Sequence, residues 1–251
     1  MTRIVLVRPE HPANVGAAAR VVRNTGLEGL DLVAPGDWRT LECWRTAWSA
    51  QDVLEQARVF ADLSSALEGA VLAVAFSGRR GDGVPALDVR EAARQVAALP
   101  PEDDVRLVFG PEGPGLMLSE MALCGVRAFI PSDPGQPSLN VSHAAMVAGY
   151  ELLRAARLTP AGTGPQRASW DEKQRLLDLL RAGLRAVGAL PPRDAGAQLE
   201  EWTALVQRLD LTRREVHLLE HMARKMARDG SSRQSALGSQ LRHRERPEGE
   251  D

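Results

Sequence analysis

The sequence predicts an α/β protein in which a parallel sheet is followed by a small α-helical extension. Short apolar runs, typical of strands buried on both faces, alternate with stretches of helical periodicity through residues 1–157. That alternation favours parallel strands joined by helices. Beyond a segment rich in proline and glycine, the helical periodicity continues with no further strand pattern.

The elements of the first part follow from the apolar runs and from signals that end helices. A strand at 3–7 leads to a helix at 14–24, and Gly26 stands where a helix end favours a left-handed residue. The same criteria predict strands at 30–34, 71–76, 105–109 and 127–130, and helices at 38–55, 62–67, 88–98, 118–123 and 139–157.

The chain divides into four predicted regions. They are an α/β domain at 1–157, a linker at 158–169, a helical extension at 170–228 and a polar tail at 229–251. The tail has the charged composition of a disordered segment. Within the extension, the periodicity predicts helices at 170–187, 197–208 and 212–228.

The composition excludes a disordered or membrane-spanning chain. Of 251 residues, 44% are apolar and 25% charged, the net charge is −2, and no apolar run approaches membrane-spanning length. The apolar run at 4–7 is too short for a signal peptide, and Cys43 and Cys124 lack metal-type spacing. We therefore expect a cytoplasmic protein with no metal site. At near-neutral charge, any nucleic-acid binding requires a local basic patch.

A loop rich in glycine and proline, Phe109–Leu116, follows a predicted strand. Its three glycines allow a tight turn and a close approach of the backbone to a ligand, although a purely structural turn would look the same. It lacks the G-x-G-x-x-G fingerprint of dinucleotide-binding folds and the lysine of a P-loop. A dinucleotide-dependent oxidoreductase is therefore disfavoured.

Two further polar segments flank helices that follow strands. Asn14 suits an N-cap of the first helix, and Arg20, nearly two turns later, suits either a solvated surface or a clamp on a phosphate. Ser138 and Asn140 suit helix caps, or a hydroxyl and an amide presented to a small ligand. All three segments follow strands, so we expect them to meet at one edge of a parallel sheet.

In this order, the three segments resemble the motifs of the SPOUT superfamily of RNA methyltransferases, in the branch that methylates ribose 2′-hydroxyls. The resemblance covers roughly residues 2–157. The matching residues are Asn14, Gly16 and Arg20, then Phe109, Gly110, Glu112, Gly115 and Leu116, then Pro131, Ser138, Leu139 and Asn140.

The resemblance implies a sheet whose C-terminal part forms a deep trefoil knot (the SPOUT fold), an obligate homodimer, and S-adenosyl-L-methionine bound among the knot loops. The residues that it places at the cofactor are Leu107, Val108, Phe109, Gly110, Gly115, Ile130, Pro131, Ser138 and Leu139. Ser77 and Arg79, at the end of the preceding strand, are expected to border the same pocket.

The resemblance also implies catalytic roles for Arg20, Asn14, Glu112, Ser138 and Asn140. A guanidinium does not normally lose its proton. We therefore interpret Arg20 as a clamp on the neighbouring phosphate, which orients the 2′-hydroxyl and stabilises developing negative charge. In the family this arginine tends to act across the dimer interface. The other four are expected to position substrate and loop.

Segment 205–219 resembles the helical extension of TrmJ-type enzymes, which methylate the ribose at position 32 of tRNA. Segment 54–60, in the α/β domain, also resembles these enzymes. Arginines of the extension suit either contacts with the tRNA backbone or a solvated helix face; they are Arg208, Arg213, Arg214, Arg224 and Arg228. Two alternatives stay open. One is the same chemistry on another tRNA position or on ribosomal RNA, and the other is a knotted RNA-binding module without catalysis.

Overall fold

A computed structural model describes residues 1–78, 85–159, 162, 165–190 and 196–244. Within them the chain forms a seven-stranded sheet in which every pairing is parallel. The strands are β1 (Thr2–Val7), β2 (Gly29–Val33), β3 (Arg58–Phe60), β4 (Leu72–Phe76), β5 (Leu87–Asp88), β6 (Val105–Phe109) and β7 (Val126–Phe129), in the spatial order β3-β2-β1-β6-β4-β7-β5.

Helices connect these strands and then continue alone. They are α1 (Pro12–Thr25), α2 (Leu41–Ala47), α3 (Gln51–Glu55), α4 (Leu63–Leu67), α5 (Val89–Ala97), α6 (Leu118–Leu123), α7 (Val141–Leu158), α8 (Trp170–Ala186), α9 (Gly196–Arg208) and α10 (Arg213–Arg244). The prediction of an α/β fold with a parallel sheet is confirmed.

The structure differs from the predicted elements in three places. The short strands β3 and β5 at the two sheet edges were not predicted, because two or three residues leave no periodicity to detect. The helix predicted at 38–55 is interrupted by a 3₁₀ turn, Trp48–Ala50. The last helix continues to Arg244, beyond the boundary predicted at 228. Gly230 and the serines after it are weak helix formers, but no proline interrupts the segment before Pro247.

Both faces of the sheet are buried, as its parallel pairing requires. Along β1, Ile4 and Leu6 point into one core, which contains α1, α5 and α7, whereas Val5 and Val7 point into the other. The second core contains α4, α6 and Trp170 at the start of α8. Strand alternation therefore places successive residues in opposite cores.

A buried ionic cluster lies within the second face. Asp31, fully buried on β2, accepts hydrogen bonds from Arg3 (Nη2 to Oδ1, 2.8 Å) and from Arg58 (Nη2 to Oδ2, 2.6 Å). Burial opposes ionisation of this carboxyl, but the two guanidinium groups outweigh it and hold its pKa below the usual value. The cluster ties the edge strand β3 to the centre of the sheet.

The helical extension docks against the second face of the sheet. The indole Nε1 of Trp170 donates to the carbonyl of Leu123 (3.1 Å), and its backbone N–H donates to the carbonyl of Ala70 (2.6 Å). Helices α8, α9 and α10 also share a small core of their own, which includes Leu177 and Val216. No helix within the described residues is long and apolar enough to cross a membrane.

Candidate active site

A cavity of about 330 Å³ opens at the carboxyl ends of β4 and β6. Phe76 and Phe109 are the last residues of these neighbouring strands and lie opposite each other in register. Their rings stack with centroids 4.7 Å apart and planes inclined by 10°, and both residues line the cavity. This edge is where open parallel sheets bind ligands.

Three loops complete the cavity wall: the residues after β4, the glycine-rich loop after β6, and the segment from the end of β7 into α7. The lining residues are Phe76, Ser77, Gly78, Phe109, Gly110, Pro111, Glu112, Gly113, Pro114, Gly115, Leu116, Ile130, Pro137, Ser138, Leu139, Val141 and Ala144. Because so many of them are glycine or proline, most polar groups of the wall belong to the main chain.

The glycine-rich loop requires glycine at two of its positions. Gly115 has φ +68°, which favours a residue without a Cβ, and its N–H donates to the carbonyl of Pro111 at 3.0 Å. A Cβ on Gly110 would collide with the backbone nitrogen of Leu116. The loop therefore folds back on itself tightly, and its main chain faces the cavity.

A chain of hydrogen bonds joins the three sequence motifs beside the cavity. The amide of Asn14 donates to Oε1 of Glu112 (2.6 Å), and the amide of Asn140 donates to Oδ1 of Asn14 (3.0 Å). The other carboxylate oxygen of Glu112 accepts from the backbone N–H of Glu10 (2.9 Å). The structure thus brings together three residues that the sequence analysis proposed for one site.

The surroundings of Glu112 favour its ionised form. Burial acts against the charge, but hydrogen bonds from the Asn14 amide and from the backbone N–H of Glu10 outweigh it and lower the pKa of the carboxyl. A carboxylate that only accepts hydrogen bonds suits an organising role better than that of a proton donor.

Of the three polar residues that suit helix caps in the sequence, Asn14, Ser138 and Asn140, only Asn140 is a cap in the structure. The first helix is capped at His11, not at Asn14, which lies inside the helix and is buried. Asn140 is the N-cap of α7, where its Oδ1 accepts from the backbone N–H of Ser142 at 2.8 Å. Ser138 lies in the cavity wall, two residues before that cap. Asn140 therefore both caps a helix and joins the hydrogen-bond chain.

Arg20 lies apart from the other four predicted catalytic residues. It is exposed on α1, and six helical residues separate it from Asn14, so the two side chains leave the helix on different sides. It does not line the cavity, and no hydrogen bond or ion pair of its guanidinium is found within the described residues. A single chain does not assemble all five residues.

Most of the residues predicted to line the cofactor do line the cavity: Ser77, Phe109, Gly110, Gly115, Ile130, Ser138 and Leu139. Leu107 and Val108 instead point into the two cores of the sheet, because strand alternation buries both. Pro131 is exposed just beyond the lining, and Arg79 lies outside the described residues.

Apart from Glu112, the other lining residues were not predicted as site residues from the sequence. Phe76 and Gly78 adjoin the predicted Ser77, and Pro111, Gly113, Pro114 and Leu116 complete the predicted loop. The position of these six residues next to predicted ones in the sequence is the signal that could have identified them. Val141 and Ala144 lie in the first turn of α7, a position that only the packing of that helix reveals.

Comparisons with known proteins agree with this geometry. The model of the SpoU rRNA Methylase family matches residues 1–150. The chain is 40% identical over 155 residues to the tRNA (cytidine/uridine/adenosine-2′-O-)-methyltransferase TrmJ of Pseudomonas aeruginosa, a match that covers 61% of this chain and 60% of that protein. It is 32% identical over 228 residues to the tRNA (cytidine/uridine-2′-O-)-methyltransferase TrmJ of Klebsiella pneumoniae, which covers 88% of this chain and 93% of the relative.

A solved structure extends the likeness to the helical extension. The crystal structure of TrmJ from Z. mobilis superposes with a TM-score of 0.78 at 28% identity. The superposition covers 90% of this chain and 99% of the other.

Proposed function

Because the chain belongs to the SpoU rRNA methylase family, we propose that it transfers a methyl group from S-adenosyl-L-methionine to a ribose 2′-hydroxyl of tRNA, at position 32 of the anticodon loop. The observation that carries the proposal is the hydrogen-bond chain from Glu112 through Asn14 to Asn140. It connects three motifs that are distant in sequence, beside a cavity large enough for a small-molecule ligand. Relatives named as tRNA 2′-O-methyltransferases match nearly the whole chain.

The cavity fits the cofactor in size and chemistry. Its volume of about 330 Å³ lies within the range of small-molecule sites, roughly 300–1,000 Å³. Aromatic and aliphatic side chains, among them Phe76, Ile130 and Leu139, suit the flat base, and main-chain groups of the glycine-rich loop suit the polar parts. When bound, S-adenosyl-L-methionine supplies a sulfonium methyl group that is already activated for transfer.

The chain's own residues then have to align the 2′-oxygen and accommodate its developing charge. Glu112, Asn14 and Asn140 fix the glycine-rich loop relative to α1 and α7. Ser138 presents a hydroxyl in the cavity wall. We assign Arg20 to the phosphate beside the reacting ribose, because a planar guanidinium matches phosphate geometry.

Arg20 does not line the cavity of its own chain, so the proposal includes a homodimer in which it serves the partner's cavity. Helix α7, which packs on α1, supports this with two exposed apolar residues one turn apart, Met146 and Tyr150. A second copy of the chain would cover them. The proposal also includes the trefoil knot of the SPOUT fold, formed where the chain passes from β6 through β7 to α7.

We further propose that the helical extension contacts tRNA. Arg213 and Arg224 are engaged in ion pairs with Glu172 and Glu220. Arg208 and Arg214 are exposed and are the better candidates for phosphates. The same proposal includes a division into two domains, at 1–157 and 170–228. It also includes a cytoplasmic location, because tRNA is modified there.

One experiment tests the function. The protein is incubated with radiolabelled S-adenosyl-L-methionine and unmodified tRNA transcript, with Arg20→Ala in parallel, and the methylated ribose is mapped. Label at position 32 that the variant fails to add supports the proposal. Label at another tRNA position or on ribosomal RNA overturns the target but not the chemistry. Cofactor binding without label on any RNA favours a non-catalytic RNA-binding module.

A further inference from the structure

Trp48 combines exposure with a strained backbone. Its side chain is 72% exposed, and it is the one tryptophan among the large exposed apolar residues of the described chain. It ends α2 with φ +50° and ψ −117°, a conformation that favours glycine. Strained residues persist where the surrounding structure enforces them, and they cluster at functional sites. A large aromatic ring held in this way in solvent requires an explanation beyond packing.

Two contacts of α1 show which segment packs against the helix face that contains Arg20. Gly16, four residues before Arg20, packs so closely on α2 that a Cβ would collide with the carbonyl oxygen of Cys43. Arg23, three residues after Arg20, forms an ion pair with Asp52 of α3 (Nη2 to Oδ2, 2.6 Å). Residues at these spacings share one helix face.

The segment that faces Arg20 is therefore the one between Cys43 and Asp52, the partners of Gly16 and Arg23. It is the 3₁₀ turn that begins with Trp48, and this turn contacts α1. The contact between this turn and α1 puts Arg20 and Trp48 on adjoining elements of the protein surface, although no sequence motif connects them.

A second guanidinium flanks the tryptophan. Arg45 lies one turn earlier on α2, where its carbonyl accepts the backbone N–H of Trp48. Like Arg20, Arg45 is exposed and has no ion pair within the described residues. Of the acidic residues nearby, Asp52 is already paired with Arg23, and Glu42 is exposed. The surface around Trp48 therefore combines an exposed aromatic ring with two exposed guanidinium groups that form no ion pair within the described residues.

We propose that Trp48 is a stacking platform for an unpaired base of the RNA substrate, with Arg20 and Arg45 on the phosphates at either side of that base. Single-stranded RNA is recognised by stacking on aromatic side chains together with cationic contacts to its backbone. The inference rests on the proposed function for the identity of the substrate as RNA. It adds a substrate-binding residue that lies outside the three motifs.

The chemistry of the patch favours RNA over a protein partner. Arg20 and Arg45 are exposed and form no ion pair within the described residues, so they give the surface near Trp48 a positive charge that suits the phosphates of RNA. An anticodon loop supplies unpaired bases joined by phosphates, which is the alternation that the patch complements. Phosphate contacts would position the RNA, and the indole would hold one base independently of its identity.

The test compares Trp48→Gly and Trp48→Phe with the wild type in tRNA binding and steady-state methylation. Glycine suits φ +50°, so Trp48→Gly keeps the fold while removing the ring. We expect its Kd and KM for tRNA to rise roughly tenfold or more with kcat little changed, and Trp48→Phe to recover most of the loss. RNA should also quench tryptophan fluorescence in the wild type and much less in Trp48→Phe. Leu41→Ala, which removes another exposed apolar side chain of α2, is the matched control and should bind like the wild type.

The outcomes separate this inference from the proposed function. If the wild type methylates tRNA and Trp48→Gly has the same KM and Kd, the stacking role is wrong while the function stands. If Trp48→Gly instead weakens the dimer in sedimentation, the residue is a subunit contact and the inference is also wrong. A wild type that binds no RNA overturns both.

Discussion

Asn14 donates its side-chain amide to Glu112 at 2.6 Å (Nδ2 to Oε1), although 98 residues separate the two in sequence. The bond fastens the glycine-rich loop to α1. Asn140 extends it to the start of α7, so one hydrogen-bond chain fixes the glycine-rich loop, α1 and α7 relative to one another. The geometry of the cavity therefore depends on a few polar contacts that single substitutions can remove.

Glu112→Gln should damage both stability and activity. The carboxylate accepts on both oxygens, from Asn14 and from the N–H of Glu10, whereas glutamine turns an NH₂ donor towards one of these donors. We expect a loss of about 1–2 kcal/mol in the free energy of unfolding at pH 7. We expect methylation to fall by roughly 10- to 100-fold, because the loop shifts. Urea denaturation and initial rates measure the two effects.

The pH dependence of this variant checks the cause. The pKa of Glu112 is lower in the folded chain than its usual value of 4.5. Its contribution to stability is therefore fully present above about pH 4.5 and is lost as the pH falls through the folded pKa. The difference in free energy of unfolding between wild type and Glu112→Gln should therefore shrink as the pH falls below about 4.5. A gap that is constant down to pH 3 would mean that the charge is not the cause.

Asn140 has two functions that a pair of variants can separate. Serine at this position can still cap α7, as Asn140 does towards Ser142, but it cannot reach Asn14 as the longer amide does. We expect Asn140→Ala to lose about 1 kcal/mol of stability and Asn140→Ser to lose little. Methylation should fall in both. Equal activity of Asn140→Ser and wild type would show that the bond to Asn14 is dispensable.

The meeting of these residues was predictable from the sequence for a physical reason. In a parallel sheet, the carboxyl ends of all strands lie at one edge, so polar residues that follow different strands converge there. The glycine-rich loop after β6 and the segment before α7 follow this rule. Leu107 and Val108 of β6 face opposite cores, as the apolar run of a strand buried on both faces indicates, whereas the resemblance had placed both at the cofactor.

Other features lie beyond what local patterns encode. Asp31 sits within an apolar strand pattern, and its pairing with Arg58 exists only because β3 adds to the sheet edge. The break at Trp48 interrupts a segment whose helical periodicity is unbroken in the sequence. The close packing of Gly16 on α2 is likewise a long-range contact that no local pattern encodes.

Arg20→Ala should leave the fold intact while abolishing most activity. The side chain is exposed, so the free energy of unfolding should change by less than about 0.5 kcal/mol. We expect kcat to fall by roughly 100- to 1,000-fold if the guanidinium stabilises charge in the transition state. A large loss of stability in thermal denaturation would argue for a structural role instead.

Mixed dimers test whether Arg20 serves the partner's cavity. Arg20→Ala and Glu112→Gln should each have low activity alone, but a heterodimer of the two would contain one site with both native residues. We expect the mixture, after subunit exchange, to be more active than either variant. Activity no higher than the mean of the two would place Arg20 in its own chain's site.

Lys173 is a buried cation at the base of the helical extension. It is 5% exposed, and its Nζ donates to the carbonyl of Gln207 at 3.2 Å. Burial disfavours the charged amine and lowers its pKa from 10.5 to about 8. Arg167, which is paired with Asp210, adds to this shift, whereas Asp210 itself opposes it. The ammonium therefore connects α8 to α9, and the free-energy cost of burying its charge depends on pH.

Replacing this lysine should remove that dependence. Between pH 8 and about 10.5 the unfolded chain keeps the proton of Lys173 while the folded chain releases it, so the stability of the wild type rises with pH. Relative to Lys173→Met, the free energy of unfolding of the wild type should increase by roughly 2 kcal/mol from pH 8 to pH 10. Lys225→Met, at the other lysine of the chain, is exposed on α10 and should follow the wild type. If the free energy of unfolding changes with pH in the same way for all three proteins, Lys173 does not titrate in this range. Its ammonium would then be better solvated than its burial indicates.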